Sequence, residues 1–395
     1  MLTEEKMQDF ELKTKIFFGE NSLDHLLQKK SKNAMIVADP FTVQSGIIKH
    51  VTDRLDKDGI PYKIFDNVVP DPPMDKIVIG VKVALEQMPD CLMAVGGGSA
   101  IDFTKAVKKF SHEICADFNP KFIAIPTTSG TGSEVTQVAV VTDTEKQIKY
   151  PLEDRDLIPD EAILDAVLVK TVPRTITADT GMDIITHAIE AFTSTGRNDF
   201  SDALAERAIK LCCRFLCRSY LNPDDTEARQ EIHVASCMAG VAFNAAGLGL
   251  VHGMSHQLGA HFHIPHGRAN SILLPHIIAY NSNIQDMTIP HDGFPPCAKK
   301  YCEIAASLGI INFNEVSTVR SLMNYLKILA REMEEPCCIK DIKTISKEEY
   351  FGAIPEMAAA ALRDATTQTN PRVPTQEEVE AIYRDIWDFE VVDKY

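Results

Sequence analysis

An α/β domain followed by an all-helical domain is the fold class the sequence predicts, on three observations. Over the first 178 residues, short apolar runs alternate with helical stretches of about 10 to 15 residues, the pattern of a parallel sheet covered on both faces. Two of those runs lead straight into glycine- and hydroxyl-rich loops. Beyond Ala178 the apolar spacing turns helical, and no strand signal of similar strength returns. A chain of 395 residues also exceeds what one core of about 250 residues spans, and its 45% apolar content is enough for two. The expected division is residues 1–178 and 179–395.

Taken in order, residues 10–19 alternate apolar and polar side chains (Phe10, Leu12, Ile16, Phe18), as an edge strand or hairpin does. Ala34-Met35-Ile36-Val37-Ala38 reads as a buried strand ending at Asp39-Pro40, and Tyr62-Lys63-Ile64-Phe65 as the next, with a helix between. Val69-Pro70-Asp71-Pro72-Pro73 is a rigid loop. A helix over 74–87 leads to the strand Cys91-Leu92-Met93-Ala94-Val95, which runs into Gly96-Gly97-Gly98-Ser99 and a further helix over 100–110. Phe122-Ile123-Ala124-Ile125-Pro126 is followed by Thr127-Thr128-Ser129-Gly130-Thr131-Gly132-Ser133. Residues 138–142 and 162–165 read as further strands around the segment with Lys149-Tyr150-Pro151. Helices are expected from Asp183 to Thr195, Asp199 to Arg218 and Glu227 to Ala246, with several more after them.

A glycine triplet between strand and helix lets backbone N–H groups approach an anion at the positive helix end. It is not the Gly-x-Gly-x-x-Gly fingerprint, and alone it fits an ordinary tight turn as well. The second donor-rich loop, also at a strand's C-terminal end, makes a dinucleotide crevice the better reading. Asp39 is placed to accept hydrogen bonds from an adenosine ribose and to repel a 2′-phosphate, which favours NAD over NADP. An aspartate after a strand is also a common turn residue.

The second half holds the chemistry. Residues 251–276 contain six of the twelve histidines. His252 and His256 stand four apart and share a helix face, and so do Asp183 and His187 upstream. His266, between Pro265 and Gly267, marks a helix break or loop. A carboxylate with neutral imidazoles suits a divalent transition ion such as Fe²⁺ or Zn²⁺. His261, His263, His276 and His233 are read as surface or packing residues, and Glu190 as a support to the ligands or a helix-helix contact.

A formal charge of −16 argues against nucleic acid or an anionic membrane as partner, leaving a small molecule. No apolar run reaches the ~18 residues of a membrane span. Met1-Leu2-Thr3-Glu4-Glu5-Lys6 lacks the basic flank and apolar core of a secretory signal. Ten cysteines without a Cys-x-x-Cys pair point to free thiols in a reducing cytoplasm.

Assembled, these residues resemble the iron-containing (group III) alcohol dehydrogenase family. The resemblance spans nearly the whole chain and rests on Gly96 to Ser99, Pro126 to Glu134, Gly181-Met182-Asp183 to Glu190, and Gly249 to Pro275, in that order. It implies a Rossmann-like sheet domain and a helical metal-binding domain of dehydroquinate-synthase-like architecture. It implies metal ligation by Asp183, His187, His252 and His266, with Fe²⁺ as the ion and Zn²⁺ as the alternative. His256 would be the catalytic histidine beside nicotinamide and substrate. Gly97, Gly98 and Ser99 would contact the pyrophosphate, Thr127, Thr128, Thr131 and Lys149 other parts of the cofactor, and Asp39 would select NAD(H). The implied activity is hydride transfer between NAD(H) and a short-chain alcohol or aldehyde, in at least a homodimer. Residues 148–152, 199–206 and 247–250 are similar to the propanol-handling branch of bacterial propanediol use, whose members work beside other enzymes in protein-shelled microcompartments. The other readings are a zinc-dependent polyol dehydrogenase, a dehydroquinate-synthase-like lyase, and a non-catalytic assembly subunit that kept the fold.

Overall fold

The computed structural model describes residues 9–28, 31–144, 148–284 and 294–388, without the side chains of residues 148 and 149. The N-terminal stretch examined for a secretory signal and the Lys149 side chain therefore lie outside the described residues. The chain separates into two compact units: Asp9–Val172 with Pro223–Asn244, and Pro173–Asn222 with Ala245 to the C-terminus. No single helix among the described residues is long and apolar enough to cross a membrane.

The first unit is built on eight strands: β1 (Lys15–Phe18), β2 (Ala34–Ala38), β3 (Tyr62–Phe65), β4 (Cys91–Gly96), β5 (Lys121–Pro126), β6 (Val138–Asp143), β7 (Ile148–Glu153) and β8 (Glu161–Leu164). Six form a parallel sheet in the order β1-β8-β5-β4-β2-β3. The inner strands β2 and β4 are buried along their length, so both faces must be apolar. Met35, Val37, Leu92 and Ala94 enter one core, while Ile36, Ala38, Met93 and Val95 enter the other. Helices α1 (Pro40–Gln44), α2 (Lys49–Lys57), α3 (Met74–Gln87) and α4 (Gly98–Ile114) make the crossovers.

Register then places the loops. Gly96 pairs with Pro126 across β4 and β5, and Ala38 pairs with Val95 across β2 and β4. Asp39, the glycine triplet and the Thr127 loop thus leave one edge of the sheet at one level, where α/β proteins bind ligands. The segment around Lys149 is itself a strand, β7, paired antiparallel with β6 outside the main sheet. Pro151 is tolerated there because a two-stranded ribbon leaves its nitrogen no required partner.

The second unit contains α5 (Arg174–Thr193), α6 (Asp199–Leu221), the end of α7 (Thr226–Ala246), α8 (Leu250–Phe262), α9 (His266–Asn281), α10 (Pro296–Ser307), α11 (Glu315–Glu332), α12 (Lys347–Arg363) and α13 (Gln376–Asp385). Helix α5 is buried almost all round and packs chiefly on α6 and α9. Thr186 and Thr193 are buried away from water, so they return their hydroxyls to the carbonyls of Met182 and Ile189. Gly181 lets α6 close in, since any Cβ there would strike Leu216.

Candidate active site

Three helices bring four donors together. Asp183 and His187 lie one turn apart on α5, His252 near the start of α8, and His266 is the first residue of α9. Pro265 ends the preceding chain in an extended conformation, so His266 opens a helix rather than sitting in a loop. Their ligand atoms all lie within 4.8 Å of one another. Oδ1 of Asp183 stands 3.8 Å from Nε2 of His187, 3.8 Å from Nε2 of His252 and 3.5 Å from Nε2 of His266. Donors at ~2.1 Å from one ion in a tetrahedral arrangement would be about 3.4 Å apart, so the set fits a transition-metal ion.

Electrostatics agree. Burial pushes the Asp183 carboxyl up to about 8 despite the bond it accepts from the Asn270 amide, and drives His252 well below the ordinary histidine value. An anion so disfavoured, among neutral imidazoles, is what a divalent cation relieves.

The supports of these ligands are visible too. Glu190 accepts a bond from the Val251 N–H at 2.7 Å and, through its other oxygen, stands 2.5 Å from Nδ1 of His252. One carboxylate thereby caps α8 and turns Nε2 of His252 towards the cluster. Asn370 accepts from the Leu250 N–H at 3.2 Å and shares the capping. Burial raises the Glu190 carboxyl to about 8. Asn270, one turn after His266, donates to Asp183 at 2.7 Å, while its own oxygen has no partner among the described residues. Gly267 lies on the backbone of α5 at Asp179, where any Cβ would strike the carbonyl oxygen. Arg268 bridges Asp179 and Glu335 beside it, which anchors α9 to α5 next to the ligands.

In the sheet unit, the two loops touch. A Cβ on Gly97 would stand 3.1 Å from the Thr128 hydroxyl, and one on Gly98 2.8 Å from Cγ2 of Thr131. Bare backbone is therefore needed at the start of α4, where the positive end of the helix favours an anion. Ser99 follows in the first turn of that helix. Thr127 donates its N–H to the Gly96 carbonyl at 3.0 Å. Asp39 caps α1, accepting from the Thr42 N–H at 2.8 Å and its hydroxyl at 2.7 Å, and a Cβ on Gly96 would stand 3.0 Å from its Oδ2. It is both a helix cap and a neighbour of the glycine loop at Gly96. His233 lies beneath the second loop, with Nδ1 2.9 Å from the Ser129 hydroxyl, and burial lowers it to about 4. It is neutral at pH 7.

Residues 13–166 match the family model described as iron-containing alcohol dehydrogenase, and residues 177–387 that of the Fe-containing alcohol dehydrogenase family, C-terminal. The chain belongs to this family. The 1-propanol dehydrogenase PduQ of Citrobacter freundii is 40% identical over 369 residues, covering 93% of this chain and 96% of that protein. The NADPH-dependent butanol dehydrogenase of Clostridium saccharobutylicum is 36% identical over 396 residues, covering 96% and 98%. Among solved structures, a 1,3-propanediol oxidoreductase has a TM-score of 0.86 at 31% identity, over 97% of this chain and 100% of that one. As an iron-family alcohol dehydrogenase the chain is an oxidoreductase.

Periodicity missed two polar residues of the helical site. Asn270 carries a signal, since it follows His266 by four residues and so shares its face. Asp364, which meets His256, carries none: it is 108 residues away and belongs to no motif.

Proposed function

We propose that this alcohol dehydrogenase transfers hydride between NAD(H) and a short-chain primary alcohol or aldehyde, with 1-propanol and propionaldehyde as the substrate pair. The observation that carries the reading is the meeting of Asp183, His187, His252 and His266 in one cluster of ligand atoms. A non-catalytic subunit would have no use for it. A divalent ion held there by Asp183, His187, His252 and His266 would supply Lewis acidity, and a bound dinucleotide would supply the hydride chemistry. The donor set alone does not choose between Fe²⁺ and Zn²⁺; the family favours Fe²⁺.

The protein's own residues do the rest. Asp183 contributes the negative charge, and three imidazoles complete the set without adding more. Glu190 fixes the tautomer of His252, and Asn270 orients the Asp183 carboxylate. Gly97, Gly98 and Ser99 would receive the pyrophosphate at the start of α4, and Thr127, Thr128 and Thr131 would wall it from the second loop. Asp39 beside Gly96 disfavours a 2′-phosphate and supports NAD(H), although one relative is named for NADPH. The 40% identity to a 1-propanol dehydrogenase supports the substrate pair; the proposed location is the cytoplasm or, within it, a microcompartment. A homodimer or larger homo-oligomer is the proposed assembly.

Elemental analysis of anaerobically purified protein, with aldehyde-dependent oxidation of NADH and NADPH measured beside glycerol oxidation, tests this reading. His266→Ala is expected to lose metal and turnover together while its circular dichroism is unchanged. Turnover by the metal-stripped variant would refute the assignment.

A further inference from the structure

His256 follows His252 by one turn of α8 but is not one of the four clustered donors. Its ring stacks on that of His266 with centroids 5.3 Å apart and meets that of His252 edge-on at 6.1 Å. Nδ1 of His256 stands 2.8 Å from Oδ2 of Asp364. Asp364 lies where α12 ends and a short 3-10 turn, Ala365–Thr369, begins. Its other oxygen accepts from the Thr366 N–H at 2.9 Å and from the Thr366 hydroxyl at 2.7 Å. The turn is held close to α8, because Gly253 has no side chain to meet the Thr367 hydroxyl, and that hydroxyl donates to the Ala361 carbonyl at 2.7 Å. The imidazole side chain is 41% exposed and its partner carboxylate 17%, so the ring is accessible from solvent while its partner is largely covered.

A carboxylate only accepts hydrogen bonds, so the nitrogen facing it carries the hydrogen. The lone pair of a neutral ring then resides on Nε2, on the side away from Asp364. Burial opposes ionisation of Asp364, but the bonds from His256 and Thr366 hold its carboxyl down to about 2, so it remains an acceptor. We infer that Asp364 is a positioning residue for the dehydrogenase reaction, locking His256 in the Nδ1–H tautomer so that Nε2 accepts a hydrogen bond from the substrate hydroxyl. This rests on the reading that His256 faces the reacting oxygen.

Asp364→Asn tests it with little change of shape. The two Thr366 donors keep the amide oxygen at the position of Oδ1, which aims the NH₂ at Nδ1 of His256 and forces the ring hydrogen to Nε2. The expected result is a fall in kcat of about 10²-fold, with bound metal, dinucleotide affinity and unfolding midpoint unchanged. Nitrogen resonances of ¹⁵N-histidine-labelled protein should show the protonated position of His256 exchanged. His256→Ala should lose kcat to a similar degree, and adding Asp364→Asn to it should change nothing further. If His256→Ala turns over like the wild type, the underlying reading of His256 fails and the inference with it. If His256→Ala is impaired, the inference alone is overturned by any of three results for Asp364→Asn: normal turnover, an unchanged nitrogen pattern, or loss of metal.

Discussion

Glu134 shows what a single buried charge costs this fold. It follows the second donor-rich loop, is buried, and has Lys105 and Cys237 as neighbours; burial raises its carboxyl to about 7. Burial also lowers Lys105 to about 8, although that ammonium donates to the Thr136 hydroxyl at 2.9 Å and the Val138 carbonyl at 2.7 Å. For Glu134 the folded value lies above the unfolded one, so the folded state holds the proton more tightly. Its contribution to stability is complete below about pH 4.5 and is lost as the pH rises through 7. The urea midpoint is therefore expected to decline between pH 5 and 7 by the equivalent of about 2 kcal/mol more in the wild type than in Glu134→Gln. Parallel curves for the two proteins would show that Glu134 is ionised throughout. At this scale legibility depended on spacing. Asp183 with His187, and His252 with His256, stood out because four residues make one helical turn. Glu134 meets Lys105 and Cys237, and Asp364 meets His256, across long sequence separations, and only packing reveals those contacts.

Elements were legible where burial imposes a pattern. Strands β2, β4 and β5 must be apolar on both faces, and their runs end where the sheet ends, so both donor-rich loops could be placed from the letters alone. The β6-β7 ribbon was less plain: β6 alternates as a half-buried strand does, but Pro151 in β7 blurs the partner. Helix contacts at glycine were not legible, because a missing side chain has no hydrophobic period. Gly267→Ala would put a methyl group against the Asp179 carbonyl and separate α9 from α5 at the point where His266 approaches Asp183. Destabilisation of about 1–3 kcal/mol is expected, with weaker metal binding. Gly259→Ala on α8, whose added Cβ would meet nothing nearer than 3.6 Å, serves as the control and should keep both. Calorimetry and chelator competition on the two variants measure the effects, and equal metal affinity would dissociate this contact from the ligand cluster.

For the whole molecule, the division of labour predicts where ligands protect. All four clustered donors belong to the helical unit, while the glycine triplet and the Thr127 loop belong to the sheet unit. A metal at a thousand times its dissociation constant stabilises the folded site by about 4 kcal/mol. Hydrogen exchange is expected to slow in α5, α8 and α9 when metal is added, and in residues 96–104 and 127–136 when NADH is added. Protection confined to one unit by both ligands would contradict that assignment. The two-part organisation followed from length and from the change of period. The sheet unit's claim on residues 223–244 did not, because a helix carries the same period whichever core it covers.

That late segment matters before the enzyme ever meets substrate. Gly132 turns with a φ of +63° directly against Gly240, whose Cα is 2.6 Å from where a Cβ on Gly132 would lie, and His233 sits under Ser129. On the ribosome, even the last strand, β8, is made roughly sixty residues before this backing, and the others earlier still. The nascent Thr127 loop must wait without its floor, so a fragment ending at residue 172 would be born with an exposed seam and invite chaperones or proteases rather than fold into a small cofactor-binding protein.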